Sequence, residues 1–397
     1  MQSYNITKLL DLPDLIATDL LILDDLFIFI AESKQKGWEC PNCGTFTNKV
    51  HDRRWQNIKD TPIRENPVII RLEKKRYRCD NCNGNPFNKE YQSIEKYSRK
   101  TKRLDSHIVK LAQKRDYTSI AEKLEVSYTS VSNSVKDKAK SLIKDINLDE
   151  IECLSIDEFS IRKRHEYAVA LSDPKEKELI AILPSRKKDD LINYFEEEWP
   201  KEVRDNIKAI SMDMWGAYNS MAQEVFPNAK IVVDKFHMVM KVNDALDDIR
   251  KKVKREANEE NSTKFYKSRN LLRKQGEELT DEEHDKLIEI FKLSPALEKA
   301  WELKEEFRDV LQMNKLSEAE SALNDWYDRV VDSSLEAFLK AKETVENWEN
   351  KLLNFFETKI SNGFAEGINN KIKLIKRIGY GVTNLESLRH RLFIAFM

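Results

Sequence analysis

Two pairs of cysteines constrain this chain more than any other feature of its sequence. The segments CPNCG, beginning at Cys40, and CDNCNG, beginning at Cys79, each place two residues between the thiols. A C-x2-C turn directs both thiolates at one metal ion, the glycine that follows permits the tight turn, and two such turns complete a tetrahedral Zn²⁺ site. Four thiolates leave no coordination position open, so we predict a structural zinc ion. Its ligands are Cys40, Cys43, Cys79 and Cys82.

The 35 residues between the two pairs exceed the usual spacing of a zinc site, but they contain two stretches that can form a ribbon. Residues 51–55 supply one strand, and residues 68–78 supply a second, in which apolar and basic side chains alternate. Disulfides are the alternative, and a cytoplasmic location disfavours them. His51 could replace one cysteine, although a surface or nucleic-acid-facing role suits it better, and Cys153 is interpreted as an inert core thiol.

The length and charge of the chain exclude several classes of protein. With 397 residues it can form roughly two to four folding units. Charged residues make up 35% of it, no apolar run approaches a membrane span, and the first ten residues lack the features of a secretory signal. We expect a cytoplasmic protein that does not enter a membrane.

The net charge of −1 conceals a gradient along the chain. Residues 34–115 hold 21 Lys or Arg against 9 Asp or Glu, a local excess of 12 positive charges, whereas residues 1–33 hold six acids and one base. Clustered positive charge of this kind is typical of a polyanion-binding surface. A solvated basic surface is the alternative, but the motifs nearby favour nucleic acid.

The segment from Tyr117 to Ile143 predicts two helices around a short turn. Ile120, Ala121 and Leu124 give the first helix an apolar stripe, Val126 fills the turn, and Ser127 is the expected N-cap of a second helix with Val131 and Val135 inward. The exposed face of that helix would contact base edges and phosphates of double-stranded DNA, as in a helix-turn-helix. Its residues are Tyr128, Thr129, Ser130, Asn133 and Lys136. An ordinary helical hairpin is the alternative.

Short apolar strands alternate with helices after residue 150, which predicts a mixed sheet flanked by helices. In LSIDEFS and SMDMWGAY, Asp157 and Asp213 each follow an apolar strand, where the functional sites of α/β folds usually collect. Asp157 and its neighbour Glu158 are expected at a strand tip. Trp215 is expected to pack at the strand exit.

A third carboxylate stands far along the chain, in SNGFAEGINNKIKLIKRIGYG. As a helix, this segment would bury Phe364, Ile368, Ile372 and Ile375. A second face would then join a carboxylate to polar and basic side chains, the layout wanted for a metal ion and a phosphate backbone. That face comprises Glu366, Asn370, Lys373 and Arg377.

Taken in order, five parts of the chain resemble the ISL-three type of bacterial insertion-sequence transposase. They are CPNCG with RYRCDNC, SIDEFS, SMDMWGAY, VVDKFH and SNGFAEGINNKIKLIKRIGYGV, and the resemblance covers essentially the whole length. It implies an RNase H-like catalytic domain of the DDE class, with Asp157, Asp213 and Glu366 as the metal-binding triad. It further implies that Asp234 and His237 form an accessory motif. For His237 we favour a hydrogen-bonded structural imidazole over a metal ligand.

The chemistry of that class fits the residues. Three carboxylates can hold two Mg²⁺ (or Mn²⁺) ions for in-line phosphoryl transfer. Lys373 and Arg377 would lie along the DNA backbone, and Asn370 would position a phosphate or Glu366. A homo-oligomer, most simply a dimer, is expected because two transposon ends must be paired.

The fold class expected is multidomain α+β. We predict an N-terminal segment and zinc ribbon over residues 1–97, a helix-turn-helix over 98–148, and an RNase H-like catalytic domain over 149–243 and 352–397. A helical insertion over 244–351 separates its two parts and resembles the insertion that some DDE transposases carry before the catalytic Glu. Its role is a dimer contact, a DNA-end contact, a lid or a plain spacer.

Two other functions are compatible with this architecture. One is a DNA-binding regulator that has lost catalysis, against which the presence of all three carboxylates argues. The other is a structure-selective nuclease of the same fold, which would cleave branched DNA without joining ends.

Overall fold

The computed structural model describes residues 2–82, 84–162, 166–361, 363–380 and 384–397. They divide into two compact units. The first is Met1–Asp145 together with Ile372–Met397, and the second is Ile146–Lys371.

The first unit begins with a helix, a five-stranded sheet and a small two-stranded sheet. Its elements are α1 (Gln2–Leu10), β1 (Leu15–Leu23), β2 (Leu26–Ser33), β3 (Trp38–Glu39), β4 (Phe46–Thr47), β5 (Val50–Ile63), β6 (Asn66–Tyr77) and β7 (Phe87–Asn88). The larger sheet has the order β1-β2-β6-β5, with β7 paired to the end of β6. β1 and β2 form a hairpin, β2 runs parallel to β6, and β5 and β6 form a long antiparallel hairpin.

Alternating apolar side chains decide which face of this sheet is buried. Val68, Ile70 and Leu72 of β6 are buried with Ile58 of β5 and Phe29 of β2 in one core cluster. The two strands predicted for a zinc ribbon are therefore longer than expected and belong to a larger sheet. The first 33 residues supply β1, β2 and part of this core, whereas sequence reasoning had assigned them no structure.

Helices α2 (Lys102–Ala112), α3 (Tyr117–Lys123) and α4 (Tyr128–Lys144) follow the sheet. Side chains cap all three, and Ser127, as predicted, accepts a hydrogen bond from the backbone N–H of Ser130 at the start of α4. The inward-facing positions of the predicted helix-turn-helix are buried: Ile120, Leu124, Val131 and Val135.

The second unit contains a five-stranded mixed sheet in the order β10-β9-β8-β11-β12. Its elements are β8 (Cys153–Arg162), β9 (Glu166–Asp173), β10 (Glu178–Leu183), α5 (Lys188–Glu198), α6 (Lys201–Asn206), β11 (Ala209–Met212), α7 (Gly216–Val225) and β12 (Lys230–Val233). β9 is antiparallel to β10 and β8, whereas β11 and β12 run parallel to β8. The predicted mixed sheet flanked by helices is confirmed.

Long helices follow β12 and share one apolar core. They are α8 (Lys235–Glu256), α9 (Glu259–Lys267), α10 (Arg269–Arg273), α11 (Asp281–Leu293), α12 (Pro295–Gln312), α13 (Leu316–Ser333) and α14 (Glu336–Thr358). The insertion is helical as predicted but extends beyond residues 244–351, since α8 starts directly after β12 and α14 packs back on β12. Trp326 is buried at its centre, and its indole N–H donates to the Leu303 carbonyl at 2.7 Å.

The chain ends with α15 (Gly363–Ile378) and α16 (Leu385–Ala395). α15 buries Ile368, Ile372 and Ile375 as predicted, whereas Phe364, also predicted to be buried, is half-buried near the start of the helix. α16 packs on α4 and α2, and Arg391 of α16 donates to the Arg115 carbonyl just before α3. The predicted C-terminal part of the catalytic domain, residues 352–397, is divided between the two compact units, with α16 in the first. Within the described residues, no helix has the length and apolarity needed to cross a membrane.

Candidate active site and DNA interface

Three parallel strands bring three aspartates to one edge of the mixed sheet. Ile156 of β8 pairs with Met212 of β11, which in turn pairs with Val233 of β12. The residue after each of them is an aspartate: Asp157, Asp213 and Asp234. Because parallel strands in register deliver the following residues to the same edge, strand pairing alone gathers these carboxylates.

β8 continues past its aspartate, which corrects the prediction that Asp157 and Glu158 lie at a strand tip. Asp157 pairs with Ala170 of β9, and β8 extends to Arg162. The pattern of apolar residues could not reveal this extension, because the antiparallel pairing with β9 carries polar positions beyond Ile156. Asp157 is thus held by a strand rather than by a turn.

The Asp157 carboxylate is buried, with 8% of the residue exposed, and both of its oxygens accept hydrogen bonds. Oδ1 accepts from the Glu158 backbone N–H at 2.8 Å, and Oδ2 accepts from the side-chain amide of Asn369 at 2.7 Å. Burial and, secondly, the nearby Asp213 carboxylate raise the pKa of Asp157 to about 7. The site therefore favours a proton or a cation beside this carboxylate.

Asp213, Asp234 and His237 form a compact group whose ligand atoms lie within 4.8 Å of one another. His237 Nδ1 is 3.3 Å from Asp213 Oδ1 and 3.3 Å from Asp234 Oδ2. The hydrogen bond with Asp234 raises the pKa of His237, and burial raises the pKa of Asp213. The imidazole is hydrogen-bonded as expected, and its place between carboxylates also makes it a candidate metal ligand.

Glu366, the predicted third carboxylate, is exposed in the first turn of α15. Among the described residues, no hydrogen bond or ion pair joins it to Asp157 or Asp213, and it lies outside the compact group. Asn369, nearly one turn later, makes the contact instead, donating to Asp157 Oδ2 and to the Glu158 carbonyl at 3.2 Å. α15 thus reaches the aspartates through Asn369, with Glu366 on an adjacent part of the same helix face.

Sequence reasoning missed Asn369. The predicted helix face took the positions four, seven and eleven residues after Glu366, which are Asn370, Lys373 and Arg377. All three of these side chains are exposed. Positions three residues apart also share a helix face, and Asn369 stands three residues after Glu366. Testing that interval would have identified it.

Glu158 faces a different environment from its neighbour Asp157. A single guanidinium nitrogen of Arg186 lies 3.0 and 2.9 Å from the two Glu158 carboxylate oxygens. The Arg186 guanidinium also stacks 4.3 Å from the Tyr167 ring centroid and lies 5.5 Å from that of Trp215. Trp215 contacts Tyr218 edge to face as expected of packing, but it remains 37% exposed. The Arg186 contact makes Glu158 unsuited to bind a cation.

The four cysteines of the two pairs converge in the first unit. The Cys40 and Cys82 sulfurs are 3.6 Å apart, as are those of Cys43 and Cys79, and all four lie within 4.8 Å of one another. Gly44 has a φ of +70°, the left-handed conformation that the first tight turn requires. Hydrogen bonding to Thr45 lowers the pKa of Cys43 to about 6, whereas, against a hydrogen bond from the Gly84 backbone, the neighbouring thiols raise the pKa of Cys82 to about 12. A metal ion would be needed to hold both as thiolates.

Two other predictions about these residues can be compared with the structure. His51 is not among the clustered ligands, and its Nε2 lies 3.9 Å from Asp52. Cys153 is buried in β8, where burial raises its pKa, as expected of an inert core thiol.

The predicted DNA-facing side chains of α4 lie at its N-terminal end. Tyr128, Thr129, Asn133 and Lys136 are exposed. Ser130 is half-buried, and its hydroxyl accepts a hydrogen bond from Lys100 Nζ at 3.2 Å. Four of the five positions are therefore free to reach a ligand directly.

Comparison with known proteins identifies the family to which these regions of the chain belong. A transposase family model matches residues 154–392, which contain the mixed sheet, the insertion and α15. The chain belongs to the ISL3 transposase family. Two further models, the zinc-finger of transposase IS204/IS1001/IS1096/IS1165 and the helix-turn-helix domain of transposase family ISL3, match residues 36–82 and 90–137. The resemblance noted in the sequence is confirmed, and this ISL3 transposase is a DDE enzyme with a DNA-binding helix-turn-helix.

Curated relatives agree with this assignment. The transposase for insertion sequence element IS1001 of Bordetella parapertussis is 27% identical over 360 residues, covering 90% of this chain and 88% of the relative. The transposase for IS1557 of Mycobacterium tuberculosis is 24% identical over 311 residues, covering 72% and 69%. Among solved structures, the Drosophila P element transposase strand transfer complex matches with a TM-score of 0.41 and 11% identity, over 73% of this chain and 91% of that chain.

Proposed function

We propose that this ISL3 transposase cuts the ends of its element and joins them to target DNA with Mg²⁺ or Mn²⁺, using Asp157, Asp213 and Glu366 as the ligands. One observation carries the proposal. The residues before Asp157 and Asp213 pair in register on parallel strands, which brings both aspartates to one sheet edge, and Asn369 docks α15, which bears Glu366, onto Asp157.

The residues present fit a divalent cation. Asp213 Oδ1 is buried and accepts no hydrogen bond within the described residues, although His237 Nδ1 lies 3.3 Å away. Burial raises the pKa values of Asp157 and Asp213, and the Asp213 carboxylate raises that of Asp157 further, so holding these carboxylates charged costs free energy that a cation would offset. Oxygen-rich donors of this kind suit Mg²⁺ and Mn²⁺.

In this chemistry the protein's own side chains hold the cations and orient the carboxylates. Bound between these carboxylates, a pair of divalent cations would activate a water or a 3′-hydroxyl and stabilise the leaving oxygen of an in-line phosphoryl transfer. Asn369 fixes Asp157 and the start of α15. His237 and Asp234 orient Asp213, with His237 able to add a nitrogen ligand, and Arg186 keeps Glu158 out of the ligand set.

The first unit supplies recognition in this proposal. The four clustered thiols hold a structural Zn²⁺ ion, which ties the two cysteine turns together. Four exposed residues in the N-terminal half of α4 contact double-stranded DNA at the terminal inverted repeats: Tyr128, Thr129, Asn133 and Lys136. Ser130 positions α4 by accepting a hydrogen bond from Lys100.

Further parts of the proposal concern assembly. Asn370, Lys373 and Arg377 are exposed on α15 and would contact phosphates of the bound end. Two ends must be joined in concert, so a homodimer is proposed to pair them, with the helical insertion as a candidate dimer or DNA contact. We propose that the protein acts in the cytoplasm, where its DNA substrates would lie.

The test uses purified protein, labelled end duplexes, a plasmid target and Mg²⁺. Joined products that disappear with a chelator and with Asp157→Ala, while end binding persists, are expected. Branch cleavage without joining would indicate the nuclease instead, and binding without any metal-dependent product would indicate the regulator.

A further inference from the structure

The outer face of the β5–β6 hairpin carries basic and aromatic side chains to which the preceding proposal gives no role. Paired positions in antiparallel strands lie on the same side of a sheet, and so do alternate positions along each strand. By this rule six side chains share one side, which we call the ribbon face. They are Arg53 opposite Lys75, Trp55 opposite Glu73, and Asn57 opposite Arg71.

The opposite side of the same strands is buried, which directs the ribbon face outward. Ile58 of β5 and Ile70 and Leu72 of β6 are 0% exposed in the core of the first unit. On the ribbon face, by contrast, Trp55 is 53% exposed and the Arg53 side chain is 61% exposed. A half-exposed indole on a regular strand adds little to the core, so its surface is available to a ligand.

The charges of this face are ordered and mainly positive. The Arg71 guanidinium lies 5.5 Å from the centroid of the Trp55 ring, a cation–π contact that restrains both side chains. Glu73 lies 2.9 Å from Lys75 and 3.9 Å from Arg53, so one acid restrains two bases. Glu32 of β2, the register partner of Glu73, also lies 3.0 Å from Lys75. Three cations then face two anions, and the excess of positive charge falls on Arg53 and Arg71, whose guanidinium groups are suited to bidentate contact with phosphate.

Hydrogen bonds join β5 to the helix-turn-helix within the first unit. The Lys59 backbone N–H donates to the Arg99 carbonyl at 2.8 Å, and its carbonyl accepts from the Thr101 N–H at 3.0 Å. Lys59 Nζ donates to the Glu125 carbonyl in the turn before α4. Thr101 also donates to the buried Asp60 carboxylate, so the strand that carries half of the ribbon face is fixed to the elements that carry α4.

We propose that the ribbon face binds the sugar-phosphate backbone of duplex DNA beside the segment read by α4. Because β2 flanks β6, the face belongs to a sheet wider than the two-stranded ribbon that a groove admits, so its contacts would position the protein and extend its footprint rather than read bases. Arg53 and Arg71 hold phosphates, and Trp55 supports Arg71 and packs on a sugar. The proposal rests on the DNA-binding role given above to the first unit.

The test measures how the affinity of the full-length protein for duplex DNA depends on salt. Each phosphate contact contributes about −0.9 to the slope of log K against log salt, so Arg53→Gln with Arg71→Gln should reduce its magnitude by about 1.8. The protected segment in a backbone footprint should also shorten on one side. Arg53→Lys with Arg71→Lys should keep most of the slope, because it keeps the charges. Lys177→Gln with Lys201→Gln, two exposed cations of the second unit outside the helical insertion, is the matched control.

The outcomes separate this proposal from that of the catalytic function. If the double glutamine variant has the same slope and footprint as the control, the ribbon-face contact is overturned, while the proposed catalytic function is unaffected. A reduced slope in a protein that never joins ends would support the contact without the catalytic proposal. No binding of any duplex by the wild-type protein would overturn both.

Discussion

The contact between Asn369 and Asp157 yields the sharpest prediction about catalysis. Asn369→Ala removes a hydrogen bond of 2.7 Å to a buried carboxylate and one of 3.2 Å to the Glu158 carbonyl. Hydrogen bonds to charged groups contribute about 1.5–3 kcal/mol. If the charged contact persists in the transition state, its loss should slow phosphoryl transfer about 10- to 150-fold, since about 1.4 kcal/mol corresponds to a tenfold change.

The assay is single-turnover strand transfer of precleaved 3′-hydroxyl ends at saturating protein, repeated over a range of Mg²⁺ concentrations. Because Asn369 orients Asp157 and docks α15, the alanine variant should also require more Mg²⁺ for half-maximal rate, whereas end binding should stay unchanged. Asn369→Asp should be worse at neutral pH, because it places a further negative charge against Asp157.

A matched amide deletion is available far from the aspartates in the same unit. The side chain of Asn228 donates to the Asp205 carbonyl at 3.0 Å, so Asn228→Ala removes a comparable side-chain bond without touching the site. If Asn369→Ala retains a rate within about twofold of wild type and the same Mg²⁺ dependence, the positioning role is refuted. A loss that follows only the melting temperature, and that Asn228→Ala reproduces, would mean that Asn369 is merely structural.

Four other predictions concern the site and the cysteines. Asp157→Ala should abolish strand transfer and leave end binding within about twofold, as measured by gel shift. In metal-free protein, the free energy of unfolding should fall as pH rises from about 4 to 7, since Asp157 has a pKa of about 7 when folded and an ordinary value of 3.8 when unfolded. The loss is at most about 4 kcal/mol, and Asp157→Asn should flatten it in urea titrations. Cys79→Ser should remove bound zinc, measured by elemental analysis, and weaken end binding. It should leave the stabilisation of the protein by Mg²⁺ unchanged. Glu158→Gln should cost about 0.5–1 kcal/mol of folding stability for a partly exposed ion pair and retain strand transfer; full loss of transfer in a folded protein would contradict the assignment.

Local patterns predicted those parts of the molecule whose partners are close in sequence. The cap and apolar stripe of the helix-turn-helix follow from side chains within one turn of each other, and the cysteine turns follow from four-residue segments. The proximity of Asp157 and Asp213 was also predictable, because each follows an apolar run and parallel strands in register carry the next residues to one edge, whereas the continuation of β8 past Asp157 was not.

Packing between segments that are distant in the sequence could not be predicted in the same way. α16 buries Leu388, Leu392 and Ile394, which signals that it is covered, but nothing in those side chains specifies α4 as the partner. The N-terminal strands present the same difficulty. Their apolar residues predict burial, whereas the parallel pairing of β2 with β6 depends on contacts roughly 40 residues apart.

The adjacent acids Asp157 and Glu158 show how strand geometry separates residues that look equivalent in sequence. Successive side chains of a strand point to opposite faces, so the two acids meet different partners, although the Glu158 carboxylate still lies near enough to add to the burial that raises the pKa of Asp213. Glu158 needs a cation on its own side, and Arg186 provides it from the segment between β10 and α5. Without that arginine, two carboxylates beside a metal site would compete for the same ions. The fold therefore decides which acid binds the metal ion. Arg186 already balances the charge of Glu158, whereas Asp157, which accepts a hydrogen bond from Asn369, has no cationic side chain paired with it among the described residues.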